Sequence, residues 1–283
     1  MFRYAFMQHA FEAGTMVAIS AGVIGYFVVL RGLSFAAHAL SHIGFAGATG
    51  AVLTGTAPIV GLLVFTMSAG AVMGALGQRL RGRDVTIGLV MAWSLGLGLL
   101  FTRLYKGSAN LAIGILFGQI FGITSQDVAL TFVAGAVTVL LVLAVYRPLL
   151  FATLDEEVAE AKGVPVRALS IAFMVVLAVA VSEAVQVVGV LLIFALIVAP
   201  AAIAERFTTR PSRGVLLAAL LAVLFTWAGL TVAYYLPYPA GFFITTIAFW
   251  SYIVARLAAP TLTLPRRRGT EILARDEQAR HSP

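Results

Sequence analysis

Cysteine is absent from this 283-residue chain, and charge is scarce, with Asp, Glu, Lys and Arg together making up 11% of it. Without cysteine there is no disulfide framework, no thiolate metal site and no cysteine nucleophile, so any metal site must draw on imidazole, carboxylate, hydroxyl or carbonyl groups. Soluble domains carry about a quarter charged residues, and less than half of that share cannot cover a water-facing surface. The P-loop signature GxxxxGK[ST] does not occur, so the chain does not itself bind and hydrolyse ATP through that device. The pattern HExxH is missing too, and no Ser or Asp pair suggests catalysis, which argues against an intramembrane enzyme.

What is present is apolar surface: 61% of residues are hydrophobic and the mean hydropathy is +1.00. The backbone finds no hydrogen-bond partner in hydrocarbon, so spans are helices or closed barrels, and here the apolar runs are continuous rather than alternating. The expected fold is therefore an all-α polytopic transmembrane bundle. A span needs about 20 apolar residues. Runs fall at 13–30, 33–54, 57–77, 85–104, 128–147, 168–184, 187–204, 215–236 and 241–259, giving about nine spans, within a range of eight to ten. Residues 1–10, with Arg3 and His9, read as an amphipathic lead-in rather than a cleaved signal. Residues 106–123 are short and glycine-rich and predict a short outer or re-entrant helix. A helix break is expected near 184–187. Residues 1–260 form one transmembrane domain, and the polar 261–283 form a cytoplasmic tail.

The net charge of +7 does not point to nucleic acid, because the basic residues stand in short clusters between apolar runs, as membrane orientation requires. Those clusters are Arg79, Arg81 and Arg83; Arg147, Lys162 and Arg167; Arg206, Arg210 and Arg213; and Arg256 with Arg266, Arg267 and Arg268. Placing them and Arg31 in the cytoplasm leaves only Arg3, Arg103 and Lys106 outside. Nine spans then put the N-terminus outside and the C-terminus inside the cytoplasmic membrane.

Ionisable groups deep in a bilayer are costly and mark functional candidates. His38 and His42 lie four residues apart on one helix face, within reach of one ion. Neutral imidazole suits zinc, and manganese or iron less well. Ser34 shares that face and Ser41 adds a second hydroxyl. Alternatively, the histidines bond to polar groups of a neighbouring helix. Glu183 is either an interfacial carboxylate or a gate that attracts a cation. The small residues Gly44, Ala46, Gly47 and Gly50 allow a neighbouring helix to approach closely. In the loop after residue 154, Asp155, Glu156, Glu157, Val158, Ala159, Glu160, Ala161, Lys162 and Gly163 predict a short helix ended by glycine. It either connects two spans or docks into a partner.

Three stretches, FVVLRGLSFAAHALSHIGFAG at 27–47, LDEEVAEAKGVPVRAL at 154–169 and VQVVGVLLIFALIVAPAAIA at 185–204, resemble the permeases of bacterial zinc, manganese and iron ABC importers. The resemblance covers nearly the whole chain. In that family the first stretch usually holds an Asp four residues before the His that His42 matches, and the pair belongs to the metal path. His38 stands in the place of that Asp. The second stretch corresponds to the coupling helix that seats in the nucleotide-binding subunit. The resemblance implies two permease copies, two copies of a cytoplasmic ABC ATPase and an extracytoplasmic metal-binding protein. It also implies a divalent metal as substrate and no cofactor on this chain. The competing reading is an ATP-independent secondary transporter, which needs ion-coupling carboxylates near mid-bilayer; only Glu183 is a candidate.

Overall fold

The structure is a computed structural model that describes residues 3–76, 83–105 and 110–258. Arg79, Arg81, Lys106 and the tail at 261–283 lie outside these. In chain order the helices are α1 (Ala5–Leu30), α2 (Ser34–Leu53), α3 (Pro58–Leu76), α4 (Arg83–Leu104), α5 (Asn110–Phe117), α6 (Ser125–Ala144), α7 (Tyr146–Leu154), α8 (Glu156–Ala161), α9 (Val166–Val188), α10 (Val190–Phe207), α11 (Pro211–Tyr235) and α12 (Ala240–Ala258). Eight of them are long and apolar enough to cross a membrane. The ninth long helix, α2, is not among the eight, because its composition includes two histidines, two serines and three glycines. At about 1.5 Å per residue its 20 residues still extend about 30 Å.

Burial sorts the helices by place. α1 and α9 are the most enclosed spans, whereas α4, α6 and α12 keep most of their surface open. α1 runs through the centre, packed along α6, α9, α10 and α11. Rim helices expose rows of Leu, Val, Phe and Trp, as a lipid-facing surface requires.

The first span begins earlier than expected. Residues 5–30 form one unbroken helix, so the lead-in is its first two turns, tied down where the His9 ring nitrogen Nδ1 lies 3.1 Å from the Ile123 carbonyl oxygen. The break expected at 184–187 instead falls at Gly189. α9 carries through SEAVQVV to Val188, and Gly189, with φ +86° and ψ 162°, separates it from α10. Only glycine adopts such a conformation routinely, so the breaker is the glycine and not the polar Ser, Glu and Gln before it. The end of α5 rests against this break: a Cβ on Gly118 would collide with the Val188 carbonyl carbon, and one on Gly189 with the Gly118 amide. The short helix expected within 106–123 is thus α5, seated on the discontinuity.

The small-residue face of α2 packs as expected. Gly47 meets Gly61 of α3 backbone to backbone, so a Cβ on either would strike the other's carbonyl oxygen, and Gly44 rests on Leu62 and Thr66. No flexible side chain stands there to yield. Gly47→Val should therefore cost about 2–3 kcal/mol through overpacking, read as a lower unfolding temperature of the purified protein; an unchanged temperature would refute this crossing.

Candidate functional site

Gly32, with φ +67°, turns the chain between α1 and α2. This turn is tucked inside the bundle. Leu33 is buried, and Arg31 is only 7% exposed, its guanidinium stacked 5.4 Å from the Phe173 ring centroid with Nη2 donating to Ser170 Oγ at 3.4 Å. Arg31 is therefore more than an orientation charge; it fastens the start of α2 to α9.

From that anchored start, α2 presents His38 and His42 on one face. Their rings stand edge to face with centroids 4.6 Å apart. Phe194 of α10 lies against His38 at 4.9 Å, an aromatic wall that no local pattern announces, since it comes from 156 residues away. Both histidines are half-buried, and both Nδ1 atoms are buried without a hydrogen-bond partner. A buried ring nitrogen without a partner is a cost that folding normally avoids. The alternative in which the histidines bond to a neighbouring helix is thus unsupported at these atoms.

The hydroxyls divide. Ser34 is half-buried on the first turn, on the face of the pair. Ser41 is fully buried and donates to the His38 carbonyl at 2.7 Å, so its hydroxyl serves the helix backbone. Glu183 is 6% exposed, and both its carboxylate oxygens are buried without hydrogen-bond partners. It faces away from α3: its neighbour Ser182 meets Thr66 of α3 at 2.6 Å, whereas Glu183 Oε1 lies 3.1 Å from where a Cβ on Gly135 of α6 would stand. Among the described residues, no group of three or more His, Cys, Asp or Glu side chains comes together to hold a metal ion. One chain thus provides two imidazoles, half of a tetrahedral shell.

At the other end of the functional surface, α8 is capped at both termini. Asp155 Oδ1 accepts from the Val158 amide at 3.0 Å. After Lys162, Gly163 takes φ +83°; its amide donates to the Glu160 carbonyl at 2.9 Å, and the Val164 amide reaches the Ala159 carbonyl at 3.0 Å. This paired closure is the Schellman arrangement, which ends a helix sharply. Ala159 is fully buried, while Glu157, Val158, Glu160, Ala161, Lys162 and Gly163 are exposed and Asp155 and Glu156 are half-buried. Sequence reasoning missed α7, the nine-residue helix that leads into α8, because its apolar residues merge with the preceding run.

Residues 3–259 match the ABC 3 transport family. The chain belongs to that family. It is 30% identical over 92% of its length, and 93% of the relative's, to the manganese transport system membrane protein MntC of Listeria innocua. It is 29% identical over 91% of its length to the manganese import system permease protein ScaB of Streptococcus parasanguinis, covering 92% of that protein. Among solved structures, PsaBC from Streptococcus pneumoniae in complex with Fab matches with a TM-score of 0.80 and 28% identity, covering 95% of this chain and 96% of that one. As an ABC 3 member the chain is a multi-pass permease, the non-enzymatic membrane component of an ABC transporter. The secondary-transporter reading falls with this membership.

Proposed function

We propose that this permease is the membrane subunit of an ATP-driven importer of a divalent transition metal, with zinc as its first substrate. The observation that carries the metal reading is the His38–His42 pair, with both Nδ1 atoms buried and unpartnered. The names of the relatives, which speak of manganese transport and import, support a divalent metal and favour manganese as the second reading. Imidazole at position 38, where the family resemblance implies a carboxylate, favours zinc over the harder manganese.

Two permease copies work with two cytoplasmic ATPase subunits, and an extracytoplasmic metal-binding protein delivers the ion to the outer loops, including 106–127 and 237–241. The N-terminus lies outside and the C-terminus in the cytoplasm. The ion passes between the two permeases, where a second His pair completes the donor set that one chain supplies by half. His38 and His42 bind it transiently, with Ser34 beside them, weakly enough for it to leave. Ser41 holds the helix turn beneath His38, and Glu183, buried against α6, takes no part in this reading. ATP-driven movement of α8, from Asp155 through Gly163, switches access from one side to the other.

The test is the ATPase rate of the reconstituted complex with zinc, manganese or iron supplied on the binding protein. Zinc should stimulate most, and His38→Asp should shift the preference toward manganese. Stimulation by manganese alone in the unaltered protein would move the substrate to that of the relatives; no response to any of the three would reject metal import.

A further inference from the structure

α6 and α11 both pack along α1, and a cavity lined by residues of all three, Thr15, Phe132 and Trp227 among them, marks a groove between α6 and α11 with α1 as its floor. Where α6 ends and α11 begins, a second cavity, of about 520 Å³, lies between the same two helices, its lining divided by chemistry. Leu143 and Val215 lie on the bilayer side of it, one on the last turn of α6 and one on the second turn of α11. Tyr146, Arg147 and Ser212 lie on the loop side, on the first turns of α7 and α11. No Asp or Glu lines the cavity. Arg147 is exposed, and among the described residues its guanidinium has no hydrogen-bond or ion-pair partner. Arg210 and Arg213 add two more exposed cations at the start of α11.

We propose that this cavity holds the phosphate headgroup of an anionic membrane phospholipid, with its acyl chains along the α6–α11 groove. The ligand must be an amphiphile, because the lining is apolar at one end, beside the exposed Leu140 and Leu143 of α6, and polar and cationic at the other. It must be anionic, because Arg147 lines the cavity and no carboxylate does, so a headgroup ammonium would meet a cation without a counter-charge. Basic pockets between transmembrane helices on the positively charged side recognise anionic headgroups in this way. Arg147 is the second residue of α7, and the other end of α7 adjoins Asp155, the N-cap of α8. A lipid held there therefore braces the segment that leads into the exposed helix, whichever ion the permease carries.

The full chain, purified with its ATPase partner from bilayers of equal phosphatidylglycerol and phosphatidylethanolamine, should retain the anionic lipid over the zwitterionic one by roughly fivefold, read by native mass spectrometry. Arg147→Gln combined with Ser212→Ala should reduce the ratio to that of the bilayer, while Arg147→Lys should keep it. Leu143→Trp, which fills the apolar end from a half-exposed side chain with every charge intact, should also lose the lipid at an unchanged unfolding temperature. An excess of inorganic phosphate should not displace it. Equal retention of both lipids by the unaltered protein, an unchanged ratio in the Gln/Ala variant, or displacement by free phosphate overturns the proposal.

Discussion

Replacing both His38 and His42 by Ala should reduce metal uptake by the reconstituted transporter to background, while the permease still assembles with its ATPase. The two imidazoles are the donors that the described part of one chain offers in the bundle interior; Ser41 is committed to a backbone carbonyl, and Glu183 faces α6. Loss of even an outer-shell partner costs a metal site about 10–100-fold in affinity, so removal of both ligands exceeds that. The fold should survive, because the pair is half-buried and the neighbouring α2–α3 contact is made by Gly44 and Gly47 rather than by the rings. His38→Gln with His42→Gln keeps polarity and approximate volume without imidazole and should be equally inactive. Uptake retained in either double variant, measured with radioactive zinc in proteoliposomes, would remove the pair from the path.

Gly163→Pro should break the link between ATP hydrolysis and transport. Proline holds φ near −65° and has no N–H, whereas Gly163 sits at φ +83° and donates to Glu160. Both features that close α8 are lost together, and the six-residue helix has no spare turn to absorb the change. The expected result is an ATPase that turns over without metal movement, or one that no longer binds the permease; both would appear as a fall in ions moved per ATP. Gly163→Ala keeps the N–H and carries only the left-handed backbone strain, about 1–2 kcal/mol, so it should be intermediate. Normal stoichiometry in the proline variant would mean that α8 is only a connector.

Several features were legible because they are local. Hydrogen-bonding necessity in hydrocarbon turns long apolar runs into helices, so their number and approximate places follow from composition. Asp155, Gly163 and their spacing announce a capped helix, since capping depends on a few consecutive residues. The i, i+4 spacing of His38 and His42 fixes that they share a face. Where the reading went astray, two local rules competed: the polar stretch at 182–186 suggested a break, but Gly189, with its access to positive φ, was the weaker point of the helix.

By itself the sequence determined a polytopic helical membrane protein, without its own ATPase motif and with one imidazole pair on one helix. Only the tertiary structure decided which groups that pair meets. Phe194 closes on His38 from α10, Arg31 anchors the turn before α2, and Glu183, which hydropathy alone made a gate candidate, faces α6. The physical reason is that periodicity specifies a residue's direction on its own helix, while its neighbours depend on how helices cross. Those crossings are set by backbone contacts such as Gly47 on Gly61, made between segments that carry no mark of one another in the chain.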